Sequence, residues 1–315
     1  MPQSVRHAAL LVSYLLCGCS LFQPAPEKPA TAVTAPAETS VPEVAKPPPP
    51  KIALALGGGA ARGFAHIGVI KTLVAQGIVP EIVVGTSAGS LAGALYAGGY
   101  NGYDLQKIAM KISEDSVGDW IFPNRGFIKG ESLQNFVNTA LNNRPIEKLD
   151  KTFAVVATDL QSGQEVVFRT GNTGIAVRAS SSIPGVFQPV SINGREYVDG
   201  ALVSPIPVRA AKNLGADIVI AVDVASQPKS SKVEDTIDIL LQTFCIMSQS
   251  MSGYELAEAD VVIRPNVANI GLADFDQKHI AILEGERAAL AAIPAIREKI
   301  SEYETRWVQK AQEAR

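Results

Sequence analysis

Gly85-Thr86-Ser87-Ala88-Gly89 is a G-x-S-x-G pentad with the apolar run Ile82-Val83-Val84 before it and the small and apolar stretch Ser90 to Tyr96 after it. A strand that reverses sharply into a helix needs small residues two before and two after the turn residue, because larger side chains would collide across the bend. The serine then stands at the tip, where the free amides and positive dipole end of a helix favour a developing negative charge. Ser87 is therefore a candidate nucleophile. A chain with 26 glycines produces such pentads by chance, so the weight of the reading lies on the flanking strand and helix.

A second glycine-rich turn, Gly57-Gly58-Gly59-Ala60-Ala61-Arg62-Gly63, also ends a strand and opens a helix. It fails the dinucleotide pattern G-x-G-x-x-G, which meets Arg62 or Ala60 where glycine is required, and it fails the P-loop pattern because Phe64 and Ala65 follow Gly63. Consecutive backbone N–H groups at such a turn form a concave anion nest, suited to the oxyanion of a tetrahedral acyl intermediate. Arg62, in the first helical turn, works against the dipole; it braces the loop or meets an anionic head group.

A serine nucleophile needs a proton acceptor. His7 falls in the N-terminal segment, which leaves His66 and His279. His66 sits among Phe64, Ala65, Ile67 and Val69, where packing near the loop is expected; His279 lies late in the chain and fits the serine–acid–histidine order of a triad. Carboxylates offer another route: Asp199 ends the run Arg195 to Val198 and precedes Gly200, while Asp159 and Asp223 end or follow other apolar runs. Asp-Gly is also ordinary turn chemistry. Sequence physics does not separate these acids.

The elements that must position these residues alternate. Short apolar runs at 51–56, 82–84, 153–158, 165–168, 217–224 and 261–264 read as strands, and 61–76, 132–141, 208–214 and 233–250 as helices. Such alternation predicts an α/β fold with a mostly parallel sheet covered on both faces, whose functional groups gather at the carboxyl ends of the strands. The segment 276–315 carries helical spacing through Ile280, Leu283, Ala288 and Leu290 and ends in a charged stretch read as a solvated face.

The chain has 315 residues, 47% of them hydrophobic, and a net charge of −3. No basic cluster interleaves with aromatics, so nucleic-acid binding has no electrostatic footprint. Arg6 and His7 precede the short apolar stretch Ala8 to Leu16, which is too short to span a bilayer and matches the core of an export signal. Residues 20–50 are rich in Pro, Ala, Thr and Glu and form a linker that could reach on the order of 90 Å if fully extended. This organisation leaves 1–19 as signal, 20–50 as linker, 51–275 as the folded domain and 276–315 as a helical tail. Of three cysteines, Cys245 lies in the apolar run Ile239 to Met247 and reads as a buried small hydrophobe.

Leu16-Cys17-Gly18-Cys19 resembles the lipobox of bacterial lipoproteins, which implies acylation of Cys19; Ser20 in place of aspartate then implies sorting to the outer membrane. The glycine-rich turn with Arg62, the pentad around Ser87, the segment Arg178 to Pro189 and Asp199-Gly200-Ala201 resemble, in order and approximate spacing, the bacterial patatin-like phospholipases. The run from Leu54 to Ile70 is similar to the bacterial branch related to neuropathy target esterase. The resemblance implies a three-layer α/β/α fold and hydrolysis of acyl esters in phospholipids, lysophospholipids or simpler lipids, without metal or nucleotide. It also implies a Ser87–Asp199 dyad and an oxyanion loop at Gly58, Gly59 and Ala60, supported by Arg62 and Gly63. The wider family commonly has glycine where this chain has Ala60. If that position needs positive φ, alanine is strained by roughly 1 kcal/mol or more; if it is already helical, alanine is harmless.

Overall fold

The computed structural model of the protein describes residues 46–112, 128–225 and 236–314. The expected signal, Cys19, linker residues 20–45 and the start of the helix expected at 233 lie outside the described residues.

Strand β1 (Ile52–Leu56) runs into the glycine turn and a short 3-10 segment, Ala60–Phe64, which continues as helix α1 (Ala65–Ala75). Strand β2 (Ile82–Thr86) leads through Ser87 into α2 (Ala88–Ala97). Then come α3 (Gly102–Lys111), α4 (Glu131–Ala140), β3 (Thr152–Asp159), β4 (Glu165–Phe168) and α5 (Thr173–Ser180). The remainder is β5 (Val190–Ile192), β6 (Arg195–Asp199), α6 (Val208–Asn213), β7 (Ile218–Val222), α7 (Thr236–Leu256), β8 (Val261–Ile263) and α8 (Lys278–Glu313). The structure adds α3, α5 and β5 to the expected elements. All three are short and lack the long apolar period that marks a core element.

The strands form one sheet in the order β5-β6-β3-β2-β1-β7-β8, with β4 pairing to β3. Strands β3, β2, β1, β7 and β8 are mutually parallel, and β4, β5 and β6 add antiparallel pairs at one side. The sheet is mostly parallel, as expected. β1, β2 and β7 are buried along their whole length, because helices cover both faces and no side can stay polar.

Successive side chains point to opposite faces, and the two faces differ in bulk. Leu54, Leu56, Val83, Phe153, Val155 and Ile220 pack into the larger core under α1, α2 and α8. Ala53, Ala55, Ala154 and Ala221 face Val208 and Ala211 of α6 in a thinner one. Small residues on that side let the short α6 sit close to the strands. The C-terminal helix α8 is part of the larger core through Ala281, Ile282, Ala289, Ile293 and Ile296, while Arg297 and Arg306 are exposed. A Cβ added at Gly68 of α1 would lie 2.0 Å from the Ile282 carbonyl oxygen, and one at Gly285 of α8 the same distance from that of Ala65. The two backbones therefore touch, and α1 is held firmly below the glycine turn.

Strand register sets the site. Leu56 pairs with Gly85, so β1 and β2 end side by side. Thr86 pairs with Val156 and Ala157 pairs with Asp199, which brings Asp199 level with Ser87 across the width of β3.

Candidate active site

Ser87 occupies the tip of the β2–α2 turn with φ 53° and ψ −125°. A non-glycine residue pays roughly 1–3 kcal/mol for such backbone and persists there only when its surroundings over-determine it. They do so here. A Cβ at Gly85 would sit 2.5 Å from Gly89 O and Ser90 N, and one at Gly89 only 2.1 Å from Leu56 O. Both small positions of the pentad are therefore required by space. The Ser87 N–H donates to Ser180 Oγ at 2.8 Å, and that hydroxyl donates onward to Val156 O at 2.5 Å. Ser87 itself is 7% exposed.

The glycine turn lies against this tip. A Cβ at Gly58 would approach Ser87 Cβ to 3.3 Å, and one at Gly63 would lie 2.5 Å from Ala88 Cβ. The amides divide into two groups. Gly57 N–H donates to Val222 O, Gly58 N–H to Pro205 O and Ala61 N–H to Leu272 O. Gly58 was expected to help form an oxyanion hole, but its amide is consumed by the fold. Gly59 and Ala60 retain N–H groups with no protein acceptor among the described residues. Ala60 has φ 49°, so the strained alternative for alanine is the one realised.

Arg62 is 7% exposed, and its Nε donates to Ile270 O at 2.7 Å. It braces the turn against the segment that also receives the Ala61 amide. His66 is fully buried, with Nε2 donating to Gly57 O at 2.8 Å. Burial pushes its imidazole down to about 4, so it is neutral and holds the turn from below, as the packing role anticipated.

Asp199 is completely buried at the end of β6. Its N–H donates to Ser182 O, and its Oδ1 accepts the Ala201 N–H at 2.8 Å. Its Oδ2 has no hydrogen bond of good geometry. Burial pushes the carboxyl up to about 7, while the Ala201 amide and the nearby Ser87 hydroxyl draw it back down. The serine thus lies close enough to perturb the acid without a well-aligned hydrogen bond to it. Gly200 permits this approach: a Cβ there would lie 2.3 Å from Val156 O.

The competing acids are occupied elsewhere. Asp159 accepts the Gln161 and Ser162 amides and pairs with Arg195 at 3.0 Å; these bonds, led by the Ser162 amide, lower its pKa. Asp223 accepts the Ala225 amide and pairs with Arg264. His279 is exposed and lines neither cavity that reaches Ser87, which leaves the histidine triad without its histidine. Among the described residues no group of acids, histidines and cysteines could hold a metal ion.

Several supporting residues were not identified from sequence. Ser180 and Ser182 lie in the flagged run Arg178 to Pro189, and this one segment hydrogen-bonds to both Ser87 and Asp199. Glu255 of α7 is buried and bonds to Ser204 Oγ at 2.5 Å and to the Ile206 amide at 2.9 Å. Ser204 O accepts Thr86 Oγ1, and Pro205 O accepts the Gly58 amide. One carboxyl therefore clamps the segment that braces both turns. A glutamate ending an apolar helix gives no local sign of this.

Ser87 opens onto two cavities. One, of about 350 Å³, is lined by apolar side chains including Phe64, Ile67, Leu91, Leu105, Ile112 and Leu133, a size within the range of small-ligand sites. The other, of about 50 Å³, is bordered by Gly59, Ala60, Arg62, Phe244, Cys245 and Ser248. Cys245, expected to be a buried hydrophobe, is half-buried on this rim. Its helix covers the site and not the sheet, so the apolar run around it does not belong to the main core.

An NTE family protein of Mycobacterium bovis, itself uncharacterized, is 30% identical over 271 residues, covering 78% of this chain and 46% of the relative. Lysophospholipase NTE1 of Coccidioides immitis is 35% identical over 181 residues, 56% of this chain and 12% of that protein. The chain spans about half the length or less of the curated relatives it matches. The crystal structure of VipD from Legionella pneumophila aligns with a TM-score of 0.47 at 15% identity, over 82% of this chain and 68% of that one. The family model for patatin-like phospholipase matches residues 54–212, a span that contains the end of β1, both turns, the Ser180–Ser182 run and Asp199, and on that match the chain belongs to the patatin-like phospholipase family.

Proposed function

We propose that the protein is a serine hydrolase of lipid acyl esters working through a Ser87–Asp199 dyad at a bacterial envelope membrane, to which an acylated Cys19 anchors it. The observation that carries this reading is the buried Asp199 Oδ2, unbonded and level with Ser87 at the mouth of an apolar cavity. Asp199 takes the Ser87 hydroxyl proton as Oγ attacks the ester carbonyl. The Gly59 and Ala60 amides donate to the oxyanion, the C–O bond to the alcohol breaks, and the alcohol leaves with the proton from Asp199. Water, deprotonated by the same carboxylate, then releases the fatty acid from Ser87. The large cavity takes the acyl chain, since its walls offer dispersion contacts and few hydrogen bonds.

A fluorophosphonate probe tests the chemistry: the folded protein gains one adduct, mapped to Ser87, and Ser87→Ala gains none. A folded sample that takes no adduct is a lipid-binding member of the family without catalysis. Palmitate labelling in cells, lost in Cys19→Ser, tests the anchor.

A further inference from the structure

Helix α7 has two unlike faces. Inward, Leu241, Phe244, Cys245 and Ser248 border the cavities at Ser87, and Ser252 and Glu255 continue the buried side. Outward, Ile239, Leu240, Ile246, Met247, Met251 and Tyr254 are 37–70% exposed. Their spacing follows successive helical turns, so they form one stripe on one face. Nearly half of the large exposed hydrophobics among the described residues belong to this single helix. Scattered exposed apolar residues need no explanation, but a contiguous stripe does.

Charge narrows the occupant. From Ile239 to Tyr254 the helix carries no Lys, Arg, Asp or Glu, and the exposed hydroxyls of Thr243 and Ser250 within the stripe donate to the helix's own carbonyls at Ile239 and Ile246, so the stripe offers a charged partner nothing to pair with. Continuity points the same way, because the stripe and the walls of the acyl cavity are opposite sides of one helix, and Leu240 reaches the Gly185 loop beside the cavity residues Ile183 and Val186. No helix among the described residues is long and apolar enough to cross a membrane; this one can lie in the interface with its apolar face down and Tyr254 at the head-group level. We infer that the outer face of α7 docks on a lipid surface and sets the mouth of the Ser87 cavity against the acyl chains. The inference rests on the lipid-hydrolase reading for its purpose, but not for its test.

The test uses the full chain with Cys19→Ser, so that no acyl anchor contributes, and vesicles of neutral phosphatidylcholine. The double substitution Ile246→Asn, Met247→Asn is compared with Leu290→Asn, an exposed leucine on α8 (58% exposed). The stripe variant is expected to co-sediment with vesicles at least fivefold less than the parent and to hydrolyse vesicle phospholipid at least tenfold more slowly. Its turnover of a soluble short-chain ester and its melting temperature stay unchanged, and Leu290→Asn behaves as the parent. Binding that persists in 1 M salt supports an apolar contact. Equal vesicle binding by parent and stripe variant overturns the inference, as does a parent dimer in solution that the stripe variant dissociates, which makes the face an interface between copies. A parent that binds vesicles through the stripe yet hydrolyses neither substrate upholds the docking face and removes the hydrolase reading.

Discussion

Two strand-to-helix turns meet at this site, and each places a non-glycine residue at positive φ, Ser87 at 53° and Ala60 at 49°. The other non-glycine residues with positive φ among those described are Asn142, Asn143 and Asn193, a residue type that tolerates this region. The two turns bear the strain for different ends. At the first, the unusual backbone presents a side chain, and the flanking Gly85 and Gly89 exist because no Cβ fits there. At the second, the group proposed to act is the Ala60 amide, and the methyl adds nothing that an oxyanion needs. The serine turn is thus fixed in residue type at its centre, whereas the glycine turn is fixed at its neighbours.

The sharpest break of this contrast is at the first centre. Ser87→Ala should abolish ester hydrolysis, and Asp199→Asn should lower kcat by about 10³-fold or more, as loss of a base in such sites does. For the parent, kcat/KM should rise with pH through a midpoint near 7, because Asp199, held up by burial, must be ionised to accept the proton. The stability linkage has the opposite sense. A carboxyl whose folded pKa lies above its unfolded value binds more protons when folded, so its stabilising share is lost as pH rises toward about 7. Asp199→Asn should accordingly melt higher than the parent at pH 8, while it gains nothing at pH 4.

Gly59→Ala comes next. A Cβ there would lie 2.7 Å from Val224 Cγ2 and 2.8 Å from Val224 O, so the turn must shift and the two donors with it. A fall of roughly 10²–10³ in kcat with little change in KM is expected from single-turnover kinetics. If activity survives, the glycine turn is not the oxyanion hole. Glu255→Ala strikes both turns together by freeing Ser204 and Ile206. It should cost about 2 kcal/mol in denaturant unfolding, from unpaired buried groups, and about tenfold in kcat per probe-titrated site. The smallest effect belongs to Ala60→Gly. Relief of left-handed strain, offset by glycine's greater freedom when unfolded, leaves a change within about 1 kcal/mol, and turnover should stay within a few-fold of the parent. A large loss would mean that the Ala60 methyl itself shapes the cavity.

Much of the site was readable because its signals are local. The pentad, the glycine turn and the apolar runs of β1, β2, β3 and β7 follow from period and from turn chemistry over a few residues, and all appear where expected. The failures lie where distant partners decide. Val190–Ile192 is too short to carry a pattern and exists only because β6 offers it an edge. Cys245 sits in an apolar run, yet its helix covers a cavity mouth instead of the sheet, so the residue is half-buried.

From sequence alone came the candidate nucleophile, the three acids that could serve it and the loop that could hold an oxyanion, because each depends on backbone geometry within one turn. The tertiary structure gave them different partners. Asp199, and not Asp159 or Asp223, meets Ser87 because β6 runs antiparallel beside β3 and delivers its last residue level with the end of β2. Gly58 loses its amide to Pro205, a residue some 150 positions away, while Gly59 and Ala60 keep theirs. Strand order and long-range hydrogen bonds fix these outcomes, and neither leaves a mark within the span of residues that a local pattern can read.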